Sequence, residues 1–254
     1  MRAKYLTLFA SALISIGSLN ASAHADTIHV AAAANLQKVF DKAMIPAFTK
    51  ATGITVVPTY GSTKLLATQL ENGAPVDVFV AADKSTPDNL VAKGELVAST
   101  ERVYAFGKLV LWSRADAPMH PTSLDDLRNP ALGMIAVANP KLAPYGEAAL
   151  QALAQANLTG YLKNRLVFAE NIGQTLQFAQ SGNATVAMTA LSLVIDDKKD
   201  PYYVVPDADY KPIAQAAAVV QASTEQADGK KFLDFLSSPA AVDIWKQYGY
   251  GLPQ

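Results

Sequence analysis

Four short stretches of this 254-residue chain share one chemistry. The first is Ala31-Ala32-Ala33-Ala34-Asn35-Leu36, where methyl side chains let a guest approach the backbone and Asn35 offers a carboxamide. The second is Tyr60-Gly61-Ser62-Thr63-Lys64, with a glycine for a tight turn and two hydroxyls. The third runs from Ala138-Asn139-Pro140 to Pro144-Tyr145-Gly146-Glu147, and the fourth is Glu170-Asn171-Ile172-Gly173-Gln174. Their polar groups are mostly uncharged donors. At the start of a helix such a turn also exposes backbone N–H groups with no intrahelical partner, and the macrodipole adds roughly half a positive charge there. Several helix starts aimed at one point bind an anion without lysine or arginine. Taken singly, Ser, Thr and Asn at a helix start are explained as caps. Four such turns in corresponding positions point to a shared site.

The elements that must position these turns form a series of βα units. Residues 27–32 pattern as a strand and 36–52 as a helix stopped at Gly53. A strand over 54–59 precedes a helix over 62–72, and a strand over 76–81 precedes a helix over 86–93 stopped at Gly94. Alternation of this kind predicts an α/β fold with mainly parallel sheets covered by helices. The strands 28–32 and 76–81 are almost wholly apolar, as burial on both faces requires. A long β segment, 102–113, leads to a second series: a short helix over 123–127 capped by Ser123, a strand 134–138, a helix 145–156, a strand 165–168, a helix 172–181 and a strand 185–190. The run 214–221 reads as a further strand without charge. Ser223 and Gln226 read as a capping box ahead of a helix over 227–236, and Ser238-Pro239 opens the last helix. Trp245, Tyr248 and Tyr250 near its end read as core or inter-lobe packing. Two series joined by two β segments suit two lobes with crossings near 104–109 and 219–223. One continuous doubly wound domain satisfies the same pattern.

Composition narrows the function. Half the residues are hydrophobic and 17% are charged, an ordinary globular balance. Arg2 and Lys4, an apolar run over about 6–16 and the small residues Ala21-Ser22-Ala23-His24-Ala25 are the parts of a secretory signal over 1–25. The run is too short to span a bilayer, which takes about 20 apolar residues. Removing 1–25 takes two of the 21 basic residues and none of the 22 acidic ones, so the remaining chain carries a net charge of -3. Any anion affinity must come from local donors, and nothing suggests nucleic acid. The chain has no cysteine, which excludes disulfides, thiolate metal sites, cysteine nucleophiles and a lipidated cysteine. With no span and no lipid anchor, the exported chain is expected to be soluble in the periplasm. His29 sits in a strand pattern and His120 beside Pro121, neither next to a serine with nucleophile-elbow spacing. Leu65 breaks any S-x-x-K reading of Ser62, and an enzyme is not expected.

Longer matches extend these turns. V-A-A-A-A-N-L at 30–36, Y-G-S-T-K-L at 60–65, Q-L-E-N-G-A-P-V-D-V-F-V-A-A-D at 69–83, A-V-A-N-P-K-L-A-P-Y-G at 136–146, A-E-N-I at 169–172 and W-K-Q-Y-G-Y at 245–250 follow in order. Together they resemble the periplasmic molybdate-binding proteins of ABC importers, across almost the whole exported chain. The resemblance implies a two-lobed periplasmic binding protein fold with mixed, mainly parallel sheets and a two-strand hinge. Lobe 1 would take 26–107 and 222–254, and lobe 2 would take 108–221. It implies molybdate, and tungstate of nearly equal size, as the transported ligand, with no other cofactor and no cation bound directly by side chains. Asn35, Ser62, Thr63, Tyr145 and Ile172 would hold it. The partners implied are the permease subunits of an importer, for a monomeric binder. Thr63-Lys64 stands where two small residues are common, and Ala190 where some members have tyrosine, for which Tyr145 would be the substitute phenol. The first helix is one residue longer around 43–46. A sulfate or phosphate binder is the alternative; phosphate would call for a carboxylate acceptor, Asp83 or Glu170. An iron site built on Tyr202-Tyr203 fails if that segment is a strand, because adjacent side chains then face opposite ways.

Overall fold

A computed structural model describes residues 26–253, so the proposed signal segment 1–25 lies outside the described residues. Ten strands form two separate sheets. They are β1 (Thr27–Ala33), β2 (Thr55–Gly61), β3 (Val78–Val80), β4 (Arg102–Gly107), β5 (Leu109–Ser113), β6 (Ile135–Ala138), β7 (Leu166–Ala169), β8 (Val186–Ala190), β9 (Tyr202–Val204) and β10 (Ile213–Val219). The first sheet has the order β2-β1-β3-β10-β4 and the second β7-β6-β8-β5-β9. In each, three consecutive strands are parallel and the remainder antiparallel. The parallel strands are the ones followed by helices, as βα crossovers demand. Pro58 is tolerated in β2 because β2 is an edge strand of its sheet.

Each sheet organises one lobe. The chain leaves the first sheet at β4, crosses at Lys108 and enters the second at β5, within the crossing expected near 104–109. The return differs from expectation. The boundary after residue 221 assigned the run 214–221 to the second lobe, yet β10 lies between β3 and β4 in the first sheet. The chain therefore comes back between β9 and β10, ahead of Ile213. The run carries no charge because it is an interior strand of the first sheet, buried on both faces.

The helices follow the βα plan. The first, α1, covers 34–52 in four segments: a 3-10 turn Ala34–Leu36, an α turn Gln37–Val39, a π turn Phe40–Met44 and an α-helix Ile45–Thr52. Pro46 has no N–H to continue the ladder. The extra residue read around 43–46 is absorbed where the Ile45 N–H reaches back to Phe40 O. Then come α2 (Thr63–Glu71), α3 (Ser85–Ala92), α4 (Pro144–Gln155), α5 (Thr159–Leu162), α6 (Ile172–Gln180), α7 (Leu191–Val194), α8 (Gln226–Leu236) and α9 (Pro239–Gln247). Ser238 caps α9, accepting from the Ala241 N–H at 3.2 Å. The capping box expected at Ser223 does not form. Its hydroxyl donates to Asp77 at 2.6 Å and accepts from Glu225 N–H at 2.9 Å, while Gln226 Nε2 bonds Gln221 O. The segment expected as a helix over 123–127 is a 3-10 turn, Asp125–Arg128.

The terminal aromatics pack as expected. Trp245 is fully buried against Phe40, Tyr104 and Tyr250, and its indole N–H bonds Leu236 O at 2.9 Å. Tyr202 and Tyr203 do lie on a strand and join different hydrophobic clusters, so they make no tyrosine pair. Among the described residues no helix is long and apolar enough to cross a membrane. Among them, too, no group of three or more His, Asp or Glu is placed to hold a metal ion.

Candidate functional site

The four turns meet between the lobes. One cavity, with an empty volume of about 190 Å3, is lined by Ala33, Ala34, Asn35, Gly61, Ser62, Thr63 and Ala82 from the first lobe and by Ala143, Pro144, Tyr145 and Ile172 from the second. All five residues singled out in the sequence line it and all five are buried. Both lobes contribute to its wall, chiefly through backbone, methyl and hydroxyl groups.

Each turn sits at the carboxyl end of a parallel strand: Asn35 after β1, Ser62 after β2, Tyr145 beyond β6 and Ile172 beyond β7. This is where open α/β sheets bind ligands. Ser62 is the N-cap of α2, Tyr145 the second residue of α4, and Ile172 the first of α6. Asn35 is central in the 3-10 turn that opens α1. N–H groups at such positions precede the first intrahelical bond. Their convergence puts four positive helix ends on one cavity that contains no formal positive charge.

The side chains separate capping from ligand chemistry. Asn171 is a true cap, its Oδ1 accepting from Gln174 N–H at 3.0 Å. Ser62 occupies a cap position yet caps nothing; its Oγ is buried and has no hydrogen-bond partner. A buried hydroxyl left in this way costs about 1–3 kcal/mol unless something else meets it. Thr63 Oγ1 accepts from Ala82 N–H at 3.0 Å, which ties the start of α2 to the end of β3 and leaves the hydroxyl proton free to donate. Tyr145 does not offer its phenol to the cavity. Its hydroxyl lies against Gly107 and accepts from Gln215 Nε2 at 3.2 Å, and neither residue lines the cavity. The backbone N–H is what Tyr145 has for a guest. Gly146 is required beside it, because a Cβ there would stand 2.1 Å from Ala138 O.

Several residues of this region were not read from the sequence. Asn35 Nδ2 donates to Gln215 Oε1 and to Tyr250 Oη, both at 3.0 Å, and Ser192 Oγ donates across the lobes to Asn35 O at 2.9 Å. Tyr104 Oη lies 2.8 Å from Ala81 O and 2.9 Å from Gln215 Oε1. Burial holds Tyr104, Tyr145 and Tyr250 well above the ordinary phenol range, so all three keep their protons at neutral pH. Around the rim, Lys64 pairs with Glu147 and Lys38 with Asp196 across the cleft. The Lys64 N–H bonds Leu142 O at 3.1 Å, and Lys38 Nζ bonds Leu193 O at 2.9 Å.

The carboxylates considered for a phosphate site are elsewhere. Asp83 accepts from Thr86 N–H and Oγ1 at 2.8 and 3.0 Å in the first turn of α3 and lines a neighbouring hollow. Glu170 is exposed.

Comparison with known proteins agrees with this architecture. Residues 28–251 match the family model described as bacterial extracellular solute-binding protein. A molybdate-binding protein of Azotobacter vinelandii is 39% identical over 93% of this chain and 94% of its own. One of Rhodobacter capsulatus is 38% identical over 95% and 94%. The solved structure of an Azotobacter vinelandii periplasmic molybdate-binding protein superposes with a TM-score of 0.84 at 33% identity, covering 89% of this chain and all of that one. The family match runs through both sheets, both crossings and all four cavity turns, and the chain accordingly belongs to the bacterial extracellular solute-binding proteins.

Proposed function

We propose that this protein is the periplasmic molybdate-binding component of an ABC importer, exported through residues 1–25 and delivering its ligand to membrane permease subunits. The observation that carries the reading is the inter-lobe cavity. It is built from four helix starts and holds a buried hydroxyl, Ser62 Oγ, with no protein partner. A tetrahedral dianion supplies what these groups lack: oxygen acceptors on every side and two negative charges. Ser62 Oγ–H, Thr63 Oγ1–H, the Asn35 carboxamide and backbone N–H groups at Asn35, Ser62, Tyr145 and Ile172 are the donors. Hydrogen bonds to a charged acceptor contribute about 1.5–3 kcal/mol each.

The likeness to molybdate-binding relatives at 38–39% identity supports molybdate in particular. The lining has no carboxylate to accept a proton from hydrogenphosphate, which argues against phosphate. Sulfate has the shape and charge of molybdate but is smaller, so cavity size must discriminate, and tungstate should bind like molybdate. Neither the cavity nor the rim presents a nucleophile with a base, which favours transport over catalysis. Because both lobes supply donors, the ligand favours the closed form and closure signals occupancy to the membrane partner. Titration calorimetry with molybdate, tungstate, sulfate and phosphate tests the assignment. Molybdate and tungstate should bind at least about a hundredfold tighter than the other two, equivalent to about 2.7 kcal/mol. A preference for sulfate would reject it.

A further inference from the structure

Gln215 is a fully buried carboxamide in β10, otherwise an apolar strand of the first lobe. It stands behind the cavity and does not line it. The register of β10 against β4 shifts at this point: Gln215 opposes Ala105 and Ala216 opposes Val103, so Tyr104 is the extra residue of a bulge. Bulges re-aim side chains, and this one sets Tyr104 and Gln215 2.9 Å apart. Gln215 also bonds Asn35 of the first lobe and Tyr145 of the second. The space for that meeting exists because residue 107 is glycine; a Cβ there would lie 2.1 Å from Tyr145 Oη and 2.6 Å from Gln215 Nε2. Gln215 is thus bonded to ligand-facing turns of both lobes, next to a strand on which they hinge.

The hydrogen-bond inventory of this cluster leaves one atom unmatched. Asn35 Nδ2 is turned to Gln215 and Tyr250, so Asn35 Oδ1 is buried without a donor. Asn35 lines the cavity, and an oxygen turned toward it would repel an anion. Reversing the two carboxamides together keeps every heavy-atom position and puts an NH2 group where that oxygen stood. Gln215 Nε2 then donates to Asn35 Oδ1 and Tyr104 Oη, while Tyr104 keeps Ala81 O as acceptor. The Tyr250 hydroxyl, which donates to Asn35 O at 3.1 Å, turns to Asn35 Oδ1 and leaves Asn35 O to Ser192, and the Tyr145 hydroxyl donates to Gln215 Oε1. The two N–H groups left over both belong to Asn35 Nδ2, on the side where Oδ1 stood unpaired.

We propose that Gln215 is the positioning residue of the anion site: occupancy reverses the Asn35–Gln215 carboxamide pair, presenting an Asn35 N–H to the anion and turning Tyr145 from acceptor to donor across the lobes. The inference rests on the anion reading above and adds the coupling of that site to closure. Because Gln215 acts through Asn35, its contribution must vanish when Asn35 cannot respond.

Side-chain amide NMR of the full exported chain, titrated with molybdate, reads the switch directly. The NH2 resonances of both Asn35 and Gln215 should shift together on saturation, although Gln215 touches no ligand. In calorimetry Gln215→Met should weaken molybdate binding about tenfold in the otherwise native chain, as loss of one charge-assisted donor would. In an Asn35→Ala background it should cost nothing further. Gln215 resonances that stay put while molybdate binds, or an equal loss in both backgrounds, would overturn the proposal. A native chain that takes up no tetrahedral dianion at all is a different result, and it fells the transport reading itself.

Discussion

Ser62 and Asn171 are both polar residues at helix starts, and the structure gives them opposite work. Asn171 satisfies a backbone N–H of its own helix. The Ser62 hydroxyl satisfies nothing in the protein. Their alanine variants should therefore separate. Ser62→Ala should lower molybdate affinity about ten- to a hundredfold while the ligand-free melting temperature holds or rises, because an unmet buried hydroxyl is removed. Asn171→Ala should lower stability by about 1 kcal/mol, the usual cost of a lost N-cap. Calorimetry and thermal melts on the two variants check this; a Ser62→Ala variant that melts lower and binds normally would make Ser62 an ordinary structural serine. At this scale the turns were readable in the sequence, since small, hydroxylated and amide residues at the ends of strand patterns carry their chemistry locally. Gln215 was not. Its role depends on Asn35, 180 residues away, and on Tyr145, 70 residues away. The trace it leaves in the sequence is a single carboxamide inside an apolar strand.

The βα elements were legible for a related reason: period and punctuation are local. Apolar runs, Gly53 and Gly94, and the Ser238-Pro239 start each announce an element without reference to the rest of the chain. Which sheet a strand joins is a tertiary fact, and β10 shows the consequence. Its uncharged run fits an interior position in either sheet, and its place in the first is settled by pairing with β3 and β4. The Ser223–Gln226 spacing likewise fits a capping box, but Asp77 competes for the serine hydroxyl from 146 positions away. Lys64 gains meaning at this scale as well. It replaces a small residue of the family turn, and its pair with Glu147 joins the first turns of α2 and α4 across the cleft. Both side chains are more than a third exposed, so the pair contributes no more than about 1 kcal/mol to closure. Lys64→Met and Glu147→Gln should each weaken molybdate binding about two- to fivefold. The sign for Glu147→Gln is the informative one. Removing an acid near an anion site by itself strengthens binding, so a tighter Glu147→Gln variant would mean that the field of the rim outweighs the latch.

Across the whole molecule, the site and the fold should respond to pH differently. Tyr145 is the one titratable side chain in the cavity lining, and burial holds its hydroxyl protonated far above neutrality. Affinity for a permanent dianion should then stay nearly level from about pH 6 to 9, a range where an exposed histidine donor would have lost its charge. Stability should show two opposing slopes at lower pH. Asp126 is held below 3.8, chiefly by the Thr122 N–H, and Asp234 by Lys230 and Arg102; their contribution is present above 3.8 and lost as pH falls through their folded values. Asp83 runs the other way. Burial raises it above 3.8, so between 3.8 and its folded value the native chain holds more proton than the unfolded one, and stability falls as pH rises through that window. Asp83→Asn keeps an oxygen for the Thr86 N–H and removes the titration. Melting temperatures of the ligand-free variant and parent should diverge as pH rises above about 4, the variant being the more stable, while molybdate affinity of the two stays alike near pH 7. Coincident melting curves would mean that Lys64 and Thr86 fully offset the burial of Asp83. A large loss of affinity would mean that Asp83, although outside the cavity, governs the mouth through which the anion enters.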